Sequence, residues 1–446
     1  MTINQMLIVR QGLRLCLMIS GLILLSFITA DMTLANTTIN TVLTTDLDAT
    51  LHLIQFQPGT SVEMRQATIT RMGGELVEWI DALDVAKVRI VEPQVTASST
   101  DASIIHVETD TIVYGVGQVR GNSLEAPTFT DEMESYALNM IESPAAWAFT
   151  MGNEEVTIAV IDTGVNVDHP EFEGRTVAGY DFVNRDNDPM DDHGHGTHTA
   201  GIIAAGFNNG IGSAGVCPRC SIMPVKVLNS FNIGSWSNVA SGILFAADNG
   251  AQVINMSLGA PVSSRIVERA IEYANEKGVL VIAAAGNSGT NEPFFPASLE
   301  TVLAVSATTQ SDELWASSNY GDYIDVAAPG ESIFSAYHED ANGAPQFTHR
   351  SGTSMAAPHV AGLAGLLISQ DSTRNGEDVR TLITENVDDL GQAGKDWQFG
   401  HGRINAQKAL SANGATPLIV DEEFQLQVAS VDNMTHQFFL PLVVSQ

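Results

Sequence analysis

The chain has 446 residues, of which 44% are hydrophobic and 38 are glycine, so it can form more than one packed domain with many tight turns. It carries 52 acidic residues against 20 basic residues, which gives a net charge of −32. Because phosphate groups are bound by lysine and arginine, this balance argues against nucleic acid or an anionic membrane as a partner. It favours solubility, bound cations or a salty habitat.

Residues 1–35 have the pattern of a secretory signal. Arg10 and Arg14 precede an apolar segment over residues 15–28, and Ala30 or Ala35 offers a small residue at a cleavage point. A retained membrane anchor is the alternative, although the apolar segment is shorter than the roughly 20 residues that a span needs. We therefore predict a secreted protein that meets the membrane only through this signal.

A small α+β unit is predicted over residues 45–119. The predicted strands are 51–56, 75–80 and 85–91, with 104–113 as a candidate fourth, and the predicted helix is 60–72. Residues 120–135 are rich in Gly, Asn, Pro and Thr, which indicates an exposed linker. A module between a signal and a linker is most simply a pro-segment, and a permanent binding domain is the alternative.

The main body, residues 136–412, alternates apolar strands with helices. The predicted strands are 156–161, 221–227, 253–256, 279–284 and 302–306, and the predicted helices are 198–205, 237–249, 264–277 and 354–369. Strands that are apolar without alternation are typical of a sheet covered on both faces, so we predict a doubly wound, mainly parallel α/β sheet. The tail, residues 413–446, has two strand-like pieces at 419–428 and 438–443 and no assignable role.

Four polar residues stand where strands end or helices begin. Asp162 ends an apolar strand, His195 lies at a glycine-flanked helix start, Asn287 follows another strand, and Ser354 comes where a turn opens into a helix. Each alone fits a capping residue or a hydrogen-bonded buried group. Together they provide acid, base, amide donor and nucleophile, which is what acyl transfer requires.

The motifs Asp162-Thr163-Gly164, His195-Gly196-Thr197-His198, Asn287 and Gly352-Thr353-Ser354-Met355-Ala356-Ala357-Pro358 resemble those of the subtilisin family of serine peptidases, in the same order along the chain. The resemblance implies a secreted serine endopeptidase of broad specificity that acts on polypeptides as a monomer. Ser354 would be the nucleophile, His195 the general base and acid, and Asp162 the residue that holds the imidazole. Asn287 and the Ser354 N–H would form the oxyanion hole.

The resemblance also implies the substrate site. Two backbone edges would bind the peptide as an added strand, and a third stretch would line the first specificity pocket. The edges are Gly234, Ser235, Trp236 and Ser257, Leu258, Gly259, and the pocket residues are Ala284, Ala285, Gly286. Small uncharged residues predict cleavage after apolar or aromatic residues, and Phe294 and Phe295 could narrow the pocket.

Residues 208–215 resemble the calcium loop of the same family. The implied ligands are the side chains of Glu132, Glu171 and Asn209 and the carbonyl oxygens of Phe207, Ile211 and Ser213. Hard oxygen ligands suit a structural Ca²⁺, and an Asn-Gly turn without metal is the alternative. Just after this loop, Cys217 and Cys220 predict a short local disulfide in an exported protein.

Residues 45–119 resemble, by pattern and position, the inhibitory pro-segment of this family. Self-cleavage is therefore expected between about Val119 and Tyr136. A zinc hydrolase is the first alternative, because His193, His195 and His198 lie close to Asp191 and Asp192. A non-catalytic binding protein on the same scaffold is the second.

Overall fold

The computed structural model describes residues 50–90, 101–119, 135–338 and 346–417. Their contacts divide the chain into two compact units, one ending at Thr109 and the other containing residues 80–85 and everything from Asp110 onward. The predicted signal, the tail strands and Glu132 lie outside the described residues.

The first unit is the predicted α+β module. Its elements are β1 (Thr50–Phe56), α1 (Val62–Arg71), β2 (Gly74–Ile80), β3 (Val85–Ile90) and β4 (Ile104–Thr109). The strands are ordered β2-β3-β1-β4, and α1 and the sheet enclose a core that includes Ile54, Phe56, Ile69 and Val88. The prediction of one strand over 104–113 was wrong, because the chain leaves this sheet after Thr109 and the next strand belongs to the second unit.

The second unit holds the predicted parallel sheet. Its strands are β5 (Ile112–Gly115), β6 (Gln118–Val119), β7 (Thr157–Asp162), β8 (Tyr180–Asp181), β9 (Ser221–Lys226), β10 (Ile233–Ser235), β11 (Val253–Met256), β12 (Leu258–Gly259), β13 (Leu280–Ala284), β14 (Leu303–Thr308), β15 (Val326–Pro329), β16 (Ile333–Tyr337), β17 (Gln346–Ser351), β18 (Val387–Asp388) and β19 (Arg403–Ile404). Its helices are α2 (Tyr136–Met140), α3 (Ser143–Ala146), α4 (His195–Ala204), α5 (Trp236–Asp248), α6 (Arg265–Glu276), α7 (Thr353–Gln370), α8 (Gly376–Glu385) and α9 (Ala406–Ser411).

Within the described residues, the large sheet has nine strands in the order β18-β19-β15-β14-β13-β11-β7-β9-β8. Its neighbours from β19 to β8 pair in parallel. The chain runs outward from β7 to β9 on one side and from β11 through β15 on the other. The carboxyl ends of β7, β11 and β13 therefore lie side by side at one edge, where open α/β sheets form their sites.

Helix α7 is the buried centre of this unit, since every residue from Thr353 to Ile368 is buried. It packs in one core cluster with the strands of the large sheet. Helix α4 begins at His195, three residues before the predicted start, and its first residues are also buried. Within the described part of the chain, none of the helices combines the length and the apolar character needed to span a bilayer.

Candidate active site

Asp162 and His195 form a fully buried pair. Asp162 is the last residue of β7, His195 is the first of α4, and the distance from Asp162 Oδ1 to His195 Nδ1 is 2.7 Å. The Thr163 N–H also donates to Asp162 Oδ1 at 2.7 Å. With Nδ1 donating to the carboxylate, Nε2 is the ring nitrogen left to accept a proton. Among the described residues, His195 Nε2 has no hydrogen-bond partner.

Asp191 links the end of β7 to the start of α4, a role that the sequence analysis missed. Its Oδ1 accepts hydrogen bonds from Thr163 Oγ1 at 2.8 Å, from His193 N at 2.9 Å and from Gly194 N at 2.8 Å. Its Oδ2 accepts from Thr197 N at 2.9 Å and Thr197 Oγ1 at 2.6 Å. The carboxylate thus binds the residue after Asp162 and also caps the first turn of α4, where backbone N–H groups lack intrahelical acceptors.

Ser354 lies in the first turn of α7 and exchanges hydrogen bonds with Ser257. The Ser354 hydroxyl donates to Ser257 O at 3.0 Å, and the Ser257 hydroxyl donates to Ser354 O at 2.9 Å. The second bond has a cause in the sequence: Pro358 lacks the N–H that would otherwise bind the Ser354 carbonyl. Proton transfer from Ser354 to His195 requires the serine hydroxyl to leave Ser257 O.

The amide of Asn287 is oriented by Thr353. Both the N–H and the hydroxyl of Thr353 donate to Asn287 Oδ1 at 2.9 Å. Its Nδ2 is buried and, among the described residues, has no acceptor. A methyl group added to Gly352 would lie 2.8 Å from that nitrogen, so a side chain there would obstruct the donor. A buried donor beside a serine is suited to stabilise a developing oxyanion.

The predicted substrate-binding residues lie on or beside two short strands and at the end of β13. Gly234 and Ser235 end β10, Trp236 begins α5, Leu258 and Gly259 form β12, and Ser257 precedes it. Ala284, Ala285 and Gly286 end β13 and the turn after it, and the two alanines are fully buried. The Phe294 ring lies close to both Gly259 and Gly286. A methyl group on Gly259 would lie 2.4 Å from the ring, and one on Gly286 would lie 3.0 Å from it.

The predicted calcium loop brings Glu171 and Asn209 together. Glu171 is fully buried, and its Oε2 accepts from Gly206 N at 3.0 Å and from Asn209 Nδ2 at 2.8 Å. Asn209 Oδ1 accepts from Ile211 N at 3.1 Å. The described residues contain no cluster of three or more His, Cys, Asp or Glu that could hold a metal. A cation here would therefore depend mainly on amide and carbonyl oxygens beside one carboxylate.

The histidines near His195 have separate environments. His198 Nε2 lies 3.1 Å from both Ile333 O and Thr348 O, and burial lowers its pKa well below the usual value. Burial also lowers the pKa of His193 and of His359 to about 4. Within the part of the chain that the structure describes, these histidines and the aspartates beside them do not form a group that could hold a metal ion.

Cys217 and Cys220 form a disulfide, with both residues fully buried. The neighbouring positions are glycines. A methyl group on Gly152 would lie 2.4 Å from Cys217 Sγ, and one on Gly365 would lie 2.9 Å from Cys220 Sγ. The bridge therefore packs between the loop before β7 and the central helix α7, where larger residues would not fit.

Comparison with known proteins gives consistent matches. The profile of the subtilase family (peptidase S8) matches residues 153–402. The chain is 39% identical over 364 residues to the thermophilic serine proteinase of Bacillus sp. (strain AK1), covering 80% of this chain and 86% of that protein. It is 44% identical over 275 residues to thermitase of Thermoactinomyces vulgaris, covering 62% and 95% respectively. The structure of fervidolysin from Fervidobacterium pennivorans, a keratinolytic enzyme related to subtilisin, aligns with a TM-score of 0.70 at 25% identity, over 82% of this chain and 62% of that one.

Proposed function

This chain belongs to the subtilase family of serine endopeptidases, and we propose that it hydrolyses polypeptides with Asp162, His195, Ser354 and Asn287. The observation that carries this assignment is the buried Asp162–His195 pair, in which His195 Nε2 has no hydrogen-bond partner among the described residues. Ser354 at the start of α7 and the buried amide of Asn287 supply the other two groups that the reaction needs. A serine hydroxyl with an ordinary pKa stays protonated near neutral pH and is then a poor nucleophile. It therefore needs such a base.

In the proposed reaction, Ser354 Oγ attacks the carbonyl carbon of the substrate and His195 Nε2 takes its proton. Asp162 keeps the imidazole in the required tautomer and stabilises the imidazolium that forms. Asn287 Nδ2 and the Ser354 N–H donate to the oxyanion. His195 then returns the proton to the leaving amine, and water hydrolyses the acyl-enzyme by the same steps in reverse order.

The test is hydrolysis of casein by the wild type and by Ser354→Ala, with and without inhibitors. The proposal expects phenylmethanesulfonyl fluoride to abolish wild-type activity, phenanthroline to leave it intact, and Ser354→Ala to lack it. Inhibition by phenanthroline alone would favour the zinc alternative instead. Absence of hydrolysis by a folded wild type would favour the non-catalytic one.

We propose cleavage after apolar or aromatic residues. The support is the small, uncharged lining by Ala284, Ala285 and Gly286, together with the Phe294 ring against the pocket walls. An apolar wall without a carboxylate gives no compensation for burying a lysine or arginine side chain. Peptide substrates that differ only in the residue before the cleaved bond test this directly, and a preference for lysine or arginine would refute it.

We also propose a structural Ca²⁺, bound by Glu171, Asn209 and the carbonyl oxygens of Phe207, Ile211 and Ser213, with Glu132 as a further ligand. The support is the buried Glu171 carboxylate beside Asn209. A cation bound only to the folded state raises stability by mass action. The proposal expects Ca²⁺ to raise the thermal midpoint of the Ser354→Ala protein and to do so less in Asn209→Ala. Equal shifts in both would contradict it.

Export and maturation complete the proposal. Residues 1–35 would act as the signal, residues 45–119 as an inhibitory pro-segment and residues 120–135 as a linker, leaving a monomeric enzyme over 136–412. A disulfide between Cys217 and Cys220 is compatible with an oxidising compartment. Adding the purified 45–119 segment to mature enzyme should inhibit hydrolysis, and a segment without effect would remove its inhibitory role.

A further inference from the structure

Residues 110–119 belong to the second unit, where part of them forms a strand between the two substrate-binding edges. Strand β5 pairs antiparallel with β10 on one side, with Val113 opposite Gly234. On its other side β5 pairs antiparallel with β12, with Tyr114 opposite Gly259. The chain therefore fills the groove in which a peptide substrate would bind as an added strand.

The segment continues past the catalytic residues. The Val116 N–H donates to Ser257 O at 3.0 Å, next to the serine pair described above. A methyl group on Gly117 would lie 3.2 Å from His195 Nε2. Strand β6 then pairs antiparallel with β17, with Gln118 opposite Ser351. Pairing on both sides of the site thus places the bond between Val116 and Gly117 at the catalytic residues.

The carbonyl of Val116 lies near the proposed oxyanion donor. A methyl group on Gly352 would lie 2.8 Å from Asn287 Nδ2, 3.3 Å from Val116 O and 3.3 Å from Gly117 Cα. These atoms consequently border the same small space, which is open only because Gly352 has no side chain. Val116 O does not accept a hydrogen bond from Asn287 Nδ2, but both atoms border the space in which acyl transfer would need a carbonyl beside a donor.

The register of the segment is fixed by side chains and by Asp110. Val113 is fully buried, whereas Ile112 and Tyr114 on the other face are 51% and 49% exposed. Asp110 accepts from Ser237 N at 2.9 Å and Ser237 Oγ at 2.7 Å. A slip of one residue would expose Val113, bury its neighbours and shift Asp110 away from this serine, so the bond at the active site is well defined.

We propose that this enzyme cleaves its own chain between Val116 and Gly117. The inference rests on the proposed function and places the cut before residues 120–135, the region expected from composition. The Ser354 oxygen bonds to the Val116 carbonyl carbon, the C–N bond to Gly117 breaks, and His195 passes the serine proton to the Gly117 nitrogen. A water molecule then releases Val116 as a carboxylate, and Gly117 becomes the new amino terminus.

The experiment is intact mass and amino-terminal sequencing of the full chain, as wild type and as Ser354→Ala. The proposal expects a wild-type product that begins at Gly117 and a Ser354→Ala chain that stays uncut at this bond. Equal cutting of both proteins after Val116 would assign the cut to another protease. A self-made amino terminus at any other residue, in a protein that hydrolyses casein, would overturn this bond while leaving the proposed function standing.

Two variants separate an effect at the Val116–Gly117 bond from a general effect of changing this segment. Gly117→Val adds carbon atoms against the His195 ring, and misplacement on this scale should slow cutting by about 10-fold to 100-fold. Tyr114→Ala is the matched control, since it shortens an exposed side chain of the same segment, three residues earlier, and should leave the rate and the cut bond unchanged. If Gly117→Val is processed at the wild-type rate to an amino terminus other than residue 117, the inference fails. A wild type that is neither cut nor able to hydrolyse casein would refute the proposed function itself.

Discussion

Replacing Asp191 with asparagine should disrupt the active site from a position outside the proposed catalytic and substrate-binding residues. The carboxylate accepts five hydrogen bonds, from Thr163, His193, Gly194 and twice from Thr197. Asparagine keeps one acceptor oxygen and presents an NH₂ group where the other oxygen stood. Whichever way the amide turns, at least one backbone N–H faces a donor.

The loss of stability can be estimated from the two hydrogen bonds to Asp191 Oδ2, since Oδ1 accepts three. Each hydrogen bond to a charged acceptor contributes about 1.5–3 kcal/mol, so losing both bonds from Thr197 costs about 3–6 kcal/mol. The same loss frees the start of α4, which carries His195. Because a shift of about 1 Å near the reacting groups can cost 10²-fold, we expect kcat to fall by about that factor.

The assays are urea unfolding in the Ser354→Ala background, which prevents autolysis, and peptide hydrolysis in the active background. Asp188→Asn is the matched control, since it removes the same charge from an exposed carboxylate three residues earlier. We expect the control to resemble the parent in both assays. If Asp191→Asn unfolds within about 1 kcal/mol of its parent and keeps its kcat, Asp191 does not organise the site.

Three further predictions concern His359, the disulfide and the Phe294 ring. Burial lowers the pKa of His359 to about 4, so between about pH 6.5 and 4 the unfolded chain binds a proton that the folded chain does not. The free energy of unfolding of Ser354→Ala should therefore fall as the pH drops through this window. Adding His359→Gln to that protein should make the fall smaller. Cys217→Ala combined with Cys220→Ala should lower that free energy by about 2 kcal/mol or less in urea titrations, since the closed loop is short; a loss of 4 kcal/mol or more would contradict this. Phe294→Ala should raise kcat/KM for peptides with phenylalanine relative to valine before the cleaved bond by about 10-fold, and an unchanged ratio would show that this ring does not limit the pocket.

The middle of the large sheet could be predicted because five of its strands are uninterrupted apolar runs. The strand over residues 253–256 was predicted with its observed ends, and the other four predicted strands differ by one or two residues at their ends. Strands β8, β15, β18 and β19 of the same sheet were not predicted. Strands β16 and β17 were missed. The sequence of β17 includes Thr348, His349 and Arg350, so it has no apolar run that would indicate a buried strand. In the structure Arg350 is buried, and its guanidinium donates to the Tyr337 hydroxyl at 2.9 Å. Such a pairing depends on a partner strand and leaves no periodic signal.

The start of α4 was placed three residues late for a related reason. Gly194 and Gly196 lower helix propensity around His195, and the signal that overrides them is the capping carboxylate of Asp191. That carboxylate caps from outside the usual N-cap position, so local patterns do not reveal it. Sequence motifs identify the residues that perform chemistry more readily than the residues that hold them in place.

The position of the self-cleavage site is another feature that sequence composition does not reveal. Composition favours residues 120–135, which have the glycine and proline content of an exposed linker. The pairing of β5 with β10 and β12 favours the Val116–Gly117 bond instead. An extended segment that fits a groove carries no compositional mark, because its backbone supplies most of the binding.

The most direct test of the central claim is to map the residue that a fluorophosphonate modifies in the mature enzyme. We expect the label on Ser354, because the imidazole of His195 activates that hydroxyl. Labelling of another residue, or peptide hydrolysis that persists in Ser354→Ala, would contradict the account.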